Sequence, residues 1–234
     1  MAILVPAFNE EKTIREVVRE AREAMPAATI VVINDGSRDG TSAAARAEGA
    51  VVLDLPCNLG IGAAVQTGYK YALRSGCRAA VQVDGDGQHV PSEIPKLLAS
   101  LEEGADLVVG SRFVEAGDYR APWMRRLGIL FFSITVSRLT GRRFKDTTSG
   151  FRAANRRVIE YFARHYPSDY PEPEAILLLS RAGFDVREVP ARFRERGGGR
   201  SSITALDGFF YMGKVFLALV MGTLRRPPEA GKEE

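Results

Sequence analysis

Between Ala79 and His89 an apolar run ends in Asp84-Gly85-Asp86-Gly87-Gln88-His89. In extended chain, residues two apart point the same way, roughly 7 Å from each other. Asp84, Asp86 and Gln88 therefore offer oxygens in one direction. Carboxylates that close repel unless a cation lies beside them. Oxygen-only donors favour a hard divalent cation, Mg²⁺ or Mn²⁺, which keeps positions for substrate phosphates and water. Gly85 and Gly87 let backbone approach a ligand closely. Asp-Gly is also an ordinary turn pair, so the weight of this reading comes from the motifs around it.

PAFNEE, from Pro6 to Glu11, stops a strand at Pro6 and supplies helix-capping residues. Glu10 there can also face a ribose hydroxyl. NDGSRDGT, from Asn34 to Thr41, reads as a strand-to-helix turn capped by Asp39 or Thr41, with Asp35 placed to accept from a base or ribose. NLGIGAAVQTG carries Gly60 and Gly62 but has Val65 where a dinucleotide fingerprint needs its third glycine, and it follows the third strand rather than the first. NAD binding is excluded on that pattern. The loop instead opens a helix, Ala63–Ser75, whose N-terminus can face a nucleotide. In ARFRERGGGRSS, a strand over Val189–Arg196 would line Arg192, Arg194 and Arg196 on one face. Gly197–Gly199 would follow as a loop ending at Arg200. Arginines on such a lid suit a diphosphate or phosphate monoester. In YPEPE, Glu172 and Glu174 are candidate carboxylate bases, and equally the acidic first turn of a helix around Pro173. Glu174 is the preferred base of the two.

These residues need a frame. Short apolar runs at Ala2–Pro6, Thr29–Ile33, Val51–Leu53, Ala79–Val83 and Leu107–Val109 alternate with helical spacings such as Ile14, Val17, Val18, Ala21 and Ile94, Leu97, Leu98, Leu101. Continuous apolar strands alternating with helices predict a largely parallel sheet covered on both faces. Ligands bind such sheets beyond the C-terminal strand ends. The first, second, fourth and fifth runs end in PAFNEE, NDGSRDGT, DGDGQH and GSR, so their polar residues converge on one edge.

The 234 residues fit one domain with a small appendage, and a formal charge of +3 gives no case for nucleic acid. Cys57 and Cys77 have no metal or disulfide spacing, which predicts a reducing compartment and two small buried side chains. No secretory signal is visible. No apolar run reaches the ~18 to 20 residues needed to span a bilayer. Two come closer, Leu127–Leu139 and Gly208–Leu224. The second carries Lys214 and is followed by Arg225-Arg226, as suits an interfacial, core or dimer helix. The tail RRPPEAGKEE reads as disordered.

PAFNEE, NDGSRDGT, NLGIGAAVQTG, DGDGQH, GSRF and TTSGFR occur in the order seen in family 2 glycosyltransferases of the GT-A fold. Across residues 1 to 205 the chain most resembles the dolichol- or polyprenol-phosphate sugar synthases, in a bacterial branch often encoded beside a small membrane protein. The resemblance implies an α/β GT-A fold, Rossmann-like, with a mostly parallel central sheet and helices on both faces. It implies a catalytic domain over 1–205, a membrane-interface or oligomerisation helix over 206–226 and a tail over 227–234. It implies a peripheral enzyme on the inner face of the plasma membrane. Its donor would be a nucleotide sugar, with UDP more common than GDP or dTDP, and its acceptor polyprenol phosphate. A small membrane protein or a second copy would be possible partners. Asp84, Gly85 and Asp86 would be the family's DxD, with Asp84, Asp86 and Gln88 holding Mg²⁺ or Mn²⁺. Pro6, Ala7, Glu10, Asp35 and Gly60 would hold the nucleoside. Arg112, Arg125 or Arg126, and Ser149 would meet the acceptor phosphate. Arg196 and Arg200 would close over the diphosphate. Glu174 would be base for a hydroxyl acceptor, as the alternative to lipid phosphate; a non-catalytic nucleotide-sugar-binding subunit is the further alternative. Gly85 stands where this group often has Ala, and Ile129 about where it can place a phosphate-holding serine.

Overall fold

The protein is described by a computed structural model covering residues 1–113, 123–168, 170–194, 205–224 and 227–228, without the side chains of 123–125 and 205–212. β1 (Ala2–Ala7), β2 (Thr29–Asn34), β3 (Val51–Asp54), β4 (Ala79–Gln82) and β5 (Leu107–Ser111) fall where the apolar runs predict. β6 (Arg152–Asn155) and β7 (Val186–Pro190) complete a seven-stranded sheet of order β3-β2-β1-β4-β6-β5-β7. All neighbours are parallel except β6, which runs antiparallel between β4 and β5. β6 is only RAAN, too short and too poor in β-branched residues to announce a strand.

The pleat sends alternate residues of each strand to opposite layers. Leu4, Val31 and Ile33 join Tyr69 of α3 (Ile61–Arg74), Phe162 of α6 (Arg156–Arg164) and Leu177 of α7 (Pro171–Arg181). Ile3, Val5 and Val32 meet Ile14 and Val18 of α1 (Ile14–Ala24), Ala44 and Ala45 of α2 (Thr41–Ala47) and Leu97 of α4 (Ile94–Glu102). Both sheet faces are thus covered, which is why β1 and β2 are apolar without alternation.

The second half adds two apolar helices. α5 (Trp123–Thr140) places Phe132 and Val136 in the first core layer. α8 (Ala205–Leu224) packs on α5 and α7 and buries Val215 and Leu219, one turn apart. Leu127, Leu130, Phe131 and Ile134 of α5 stay exposed, as do Phe216, Leu217, Met221 and Leu224 of α8. Among the described residues no helix is long and apolar enough to cross a membrane.

Two expectations are corrected. β7 stops at Pro190, so Arg192 and Arg194 do not extend a strand; only a single bridge pairs Phe193 with His89. Cys77 is buried as expected, but Cys57 is exposed, because it sits on the loop after edge strand β3. The predicted tail, apart from Pro227 and Pro228, lies outside the described residues.

Candidate active site

β1 sits where the strand order reverses, with β2 on one side and β4 on the other. The crevice at the C-terminal ends of β1 and β4 is the expected ligand position in such a sheet. The DxD turn leaves β4 there and is fastened to β1: the Gly85 N–H donates to Pro6 O at 3.2 Å. A Cβ on Gly85 would lie 3.1 Å from both Pro6 O and the Ala7 Cβ. A Cβ there would fit only if these neighbours gave by a few tenths of an ångström. Thr13 locks the turn from above, donating to Gly85 O at 2.7 Å.

Asp84 is oriented from several sides. Gln82 Nε2 donates to its Oδ1 at 3.0 Å. His89 Nδ1 accepts the Asp84 N–H at 2.9 Å, which places the ring proton on Nε2, 3.5 Å from Asp84 Oδ2. Burial holds His89 below the usual imidazole range although Asp84 pulls the other way, so the ring is neutral at pH 7. The ring stacks on Phe151 and meets Phe193 edge-on, with centroids 5.1 and 5.3 Å away. Gly150 lies directly beneath: a Cβ there would sit 2.7 Å from Asp84 Oδ2. Asp86 Oδ1 accepts the Gln88 N–H at 3.0 Å, tightening the turn. The oxygens of Asp84, Asp86 and Gln88 thus come from one half-buried turn. That all-oxygen, open set fits a hard divalent ion. Among the described residues no cluster of three or more His, Cys, Asp or Glu forms a closed metal cage.

The residues expected to hold a nucleoside line the crevice. Pro6 and Ala7 end β1, buried. Asp35 is buried at the end of β2, and its two oxygens accept the Leu59 and Gly60 N–H groups at 2.8 and 2.9 Å. It therefore also shapes the Gly60 loop, where Gly60 itself takes a positive φ of 88°. Glu10 is half-buried; its N–H donates to Thr41 Oγ1 at 2.9 Å and Oε2 accepts from Thr13 at 3.1 Å.

On the other side of the DxD the charges are paired. Arg112 is buried and makes a two-pronged bond to Asp146, Nε to Oδ2 and Nη2 to Oδ1, both 2.6 Å. Nη2 also donates to Thr148 at 2.8 Å. Much of the charge expected to meet an acceptor phosphate is thus neutralised internally. Ser149 is buried too, and its hydroxyl donates to Gly110 O at 2.6 Å, a sheet-internal bond that turns it away from an acceptor. Arg126 is exposed on α5. The side chain of Arg125, and Arg196 and Arg200 entirely, lie outside the described residues.

Arg192 and Arg194 are anchors at the base of the predicted lid. Arg192 Nε donates to buried Glu93 at 2.8 Å, and Arg194 Nη1 to both Glu20 oxygens at 2.9 Å. Burial raises the Glu93 pKa, but hydrogen bonds from Lys96 and Arg192 outweigh it and hold the carboxyl below its usual range. The Arg194 N–H donates to Gln88 O at 2.8 Å, so the segment leading to residues 195–200 is stitched to the DxD turn.

At the α7 start, Glu172 is electrostatically coupled to Arg152, Asp84 and Arg112. Burial raises its pKa, and Asp84 adds to this against the pull of Arg152 and Arg112. The carbonyl of Glu172 accepts from Arg152 Nη2 at 2.7 Å. Glu174, the preferred base on sequence, is half-buried in the same turn, its N–H donating to Tyr170 O. Gln82, Asp146, Arg152 and Phe193 drew no notice as isolated residues. Only the insertion of β6 beside β4 brings TTSGFR under the DxD.

A groove of about 780 Å³ runs from Phe113, the neighbour of Arg112, along α5. Phe113, Ile129, Leu130, Ile134 and Phe144 give it apolar walls, and Arg126, Arg138, Arg143 and Lys145 give it four cations. Ile129 is buried in that wall.

The sequence profile of glycosyl transferase family 2 matches residues 2–162. The chain belongs to this family. It is 36% identical over 213 residues to the polyprenol monophosphomannose synthase of Mycolicibacterium smegmatis, covering 86% of this chain and 80% of that one. It is 30% identical to the undecaprenyl-phosphate mannosyltransferase of Micrococcus luteus, covering 86% of both. Among solved structures it resembles glucosyl-3-phosphoglycerate synthase from Mycobacterium tuberculosis in complex with Mn²⁺, uridine diphosphate and phosphoglyceric acid. The TM-score is 0.71 at 22% identity, over 97% of this chain and 79% of the other. That likeness shows the GT-A fold. As a family 2 glycosyltransferase the chain is an enzyme of group transfer.

Proposed function

We propose that this glycosyltransferase moves a sugar, with inversion, from a nucleoside diphosphate sugar to a polyprenol phosphate at a membrane surface. The observation that carries the acceptor is the groove along α5. An apolar trough rimmed by cations and starting at Phe113, next to Arg112, matches a phosphate with a long hydrocarbon chain. A glycan acceptor would use polar and carboxylate walls instead. The relatives named for polyprenol and undecaprenyl phosphate support the same choice.

Asp84, Asp86 and Gln88 would hold Mg²⁺ or Mn²⁺, which when bound neutralises the departing diphosphate. Asp35, Glu10 and the backbone of Pro6 and Gly85 hold the nucleoside. UDP is the donor base we favour, and the neighbour solved with UDP supports it. A phosphate oxygen of the acceptor forms the new bond to the anomeric carbon, and the bond from that carbon to the β-phosphate oxygen breaks. The acceptor is already an anion near pH 7, so no residue need remove a proton. Arg126, Arg138, Arg143 and Lys145 offset its charge, while Arg112, held by Asp146, keeps the pocket floor in place. Arg196 and Arg200 would close over the diphosphate.

The exposed apolar faces of α5 and α8 meet where Phe131 and Phe216 pack, ring centroids 5.9 Å apart. We place this shared face on the lipid surface, with the groove's cations toward anionic headgroups. That makes the enzyme peripheral, on the cytoplasmic side where nucleotide sugars are made. Glu172 carries a second reading: its raised pKa suits a base for a hydroxyl acceptor.

The test is a transfer assay with Mg²⁺ or Mn²⁺, a panel of nucleotide sugars, and undecaprenyl phosphate in detergent. A metal-dependent lipid-linked sugar is expected. Donor turnover without lipid product would overturn the acceptor and favour Glu172 as base. No turnover with any donor would favour a binding subunit or a missing membrane partner.

A further inference from the structure

Three buried polar atoms on neighbouring residues have no protein partner among the described residues: Gln82 Oε1, Thr147 Oγ1 and Arg152 Nη1. Their residues are almost fully enclosed, 2%, 0% and 1% exposed. They are contiguous. Gln82 and Arg152 are direct cross-strand partners on β4 and β6, so their side chains share a face. Arg152 Nη2 donates to Thr147 O at 3.3 Å, and a Cβ on Gly150 between them would be 3.1 Å from Gln82 Nε2. Unpartnered buried polar groups are rare and costly. Three in one place call for a guest.

The surroundings select the guest's chemistry. Arg152 has no carboxylate within ion-pair distance among the described residues; Nε and Nη2 go to the carbonyls of Ser149, Thr147 and Glu172. A guest must therefore accept from Nη1, which excludes a cation. It must also donate to Gln82 Oε1, close to the Asp84 carboxylate that Gln82 already holds, which disfavours an anion. Thr147 Oγ1 can give or take. A neutral hydroxyl oxygen meets all three, as buried waters with about three partners do.

We propose that Gln82, Thr147 and Arg152 form a binding position for one hydroxyl oxygen beneath the DxD, supplied by an ordered water or by the transferred sugar. Through Gln82 the guest fixes the orientation of Asp84, making Gln82 and Arg152 positioning residues. The sugar source rests on the donor reading above; the water source does not.

The decisive experiment is a crystal structure of the full chain at better than about 2 Å, alone and soaked with Mn²⁺ and UDP-glucose. An oxygen within hydrogen-bond distance of Gln82 Oε1 and Arg152 Nη1 in both crystals establishes the water source. Its replacement by a glucose hydroxyl establishes the sugar source. Side chains closed on one another with no oxygen overturn the proposal. Thr147→Val adds a readout in solution. With the sugar source, KM for the donor sugar rises about tenfold while UDP affinity holds. With the water source, the thermal midpoint falls and KM holds. No change in either overturns the proposal. A chain that holds the oxygen yet transfers nothing breaks the donor reading alone.

Discussion

The two sides of the DxD crevice are built on opposite plans. On the side proposed for the nucleotide, β3-β2-β1-β4 are parallel, and the edge is made of backbone and small buried groups. Asp35 grips the Gly60 loop, Thr13 grips Gly85, and Gly85 rests on Pro6. On the side proposed for the acceptor, antiparallel β6 interrupts the sheet, and α5 and α8 leave large apolar side chains in the open beside unburied cations. The first side is held by many internal hydrogen bonds, and the second is an open apolar and cationic surface. Under the proposed function that asymmetry suits a nucleotide of fixed shape and a long flexible lipid.

Breaking the seam between the sides should have the largest effect. Asp146 is fully buried and is bonded to the buried guanidinium of Arg112. Asp146→Ala leaves that charge uncompensated and should cost about 3–5 kcal/mol, read by urea denaturation, with transfer lost at temperatures where the fold survives. An unchanged midpoint would mean the pair is dispensable.

Next comes the DxD itself. Asp86→Ala should cut kcat by about 10² to 10³ while the thermal midpoint stays near that of the parent, since Asp86 is only half-buried. Chelator should remove transfer in the parent, and added Mn²⁺ should restore it. Full turnover by the variant would refute the metal assignment.

Ile134→Asp sharpens the contrast by striking the groove alone. A carboxylate on that apolar wall should raise KM for the lipid acceptor about tenfold or more, with KM for the nucleotide sugar unmoved. Equal losses on both substrates would show that the two sides are not separable.

The smallest effect is at the nucleotide-side rim. Hydrogen bonds from Ser42, then Asn34 and Arg46, lower the Asp54 carboxyl to about 2. A depressed carboxyl stabilises the fold above its ordinary pKa near 3.8, and that contribution fades as pH falls through about 2. Asp54→Asn should therefore lose stability at pH 7 but little at pH 2. Its side chain is 43% exposed, so solvent screening keeps the difference below about 1 kcal/mol. A gap that persists at pH 2 would rule out the ionised form as its source.

The frame of β1, β2 and β4 was legible in the sequence. They are unbroken apolar runs, and a parallel sheet carries their polar endings, with Pro6, Glu10, Asp35, Asp84 and Asp86, to one edge. The acceptor side was not. Arg112 and Ser149, expected to meet an acceptor phosphate, are instead bonded to Asp146 and Gly110 O, partners on segments whose adjacency no local pattern encodes. Arg192 and Arg194 looked like a row of ligands, yet each has a carboxylate from a distant helix or turn. The sequence favours Glu174 over Glu172 as a base, and only the fold couples Glu172 to Arg152 and Asp84.

The sequence by itself determined the parallel α/β frame, the metal-ready turn and the edge at which the site lies, since these follow from hydrophobic period and from chemistry within a few residues. Only the tertiary structure decided which cations are neutralised, that Glu172 is coupled to Asp84, where an apolar trough opens, and that Gln82, bonded to Asp84, pairs with Arg152 across β4 and β6. Each of those is a contact between segments far apart in the chain. Such contacts are set by how β6 slots between β4 and β5 and by how α5 and α8 pack, and the four residues of β6 carry too little pattern to reveal it.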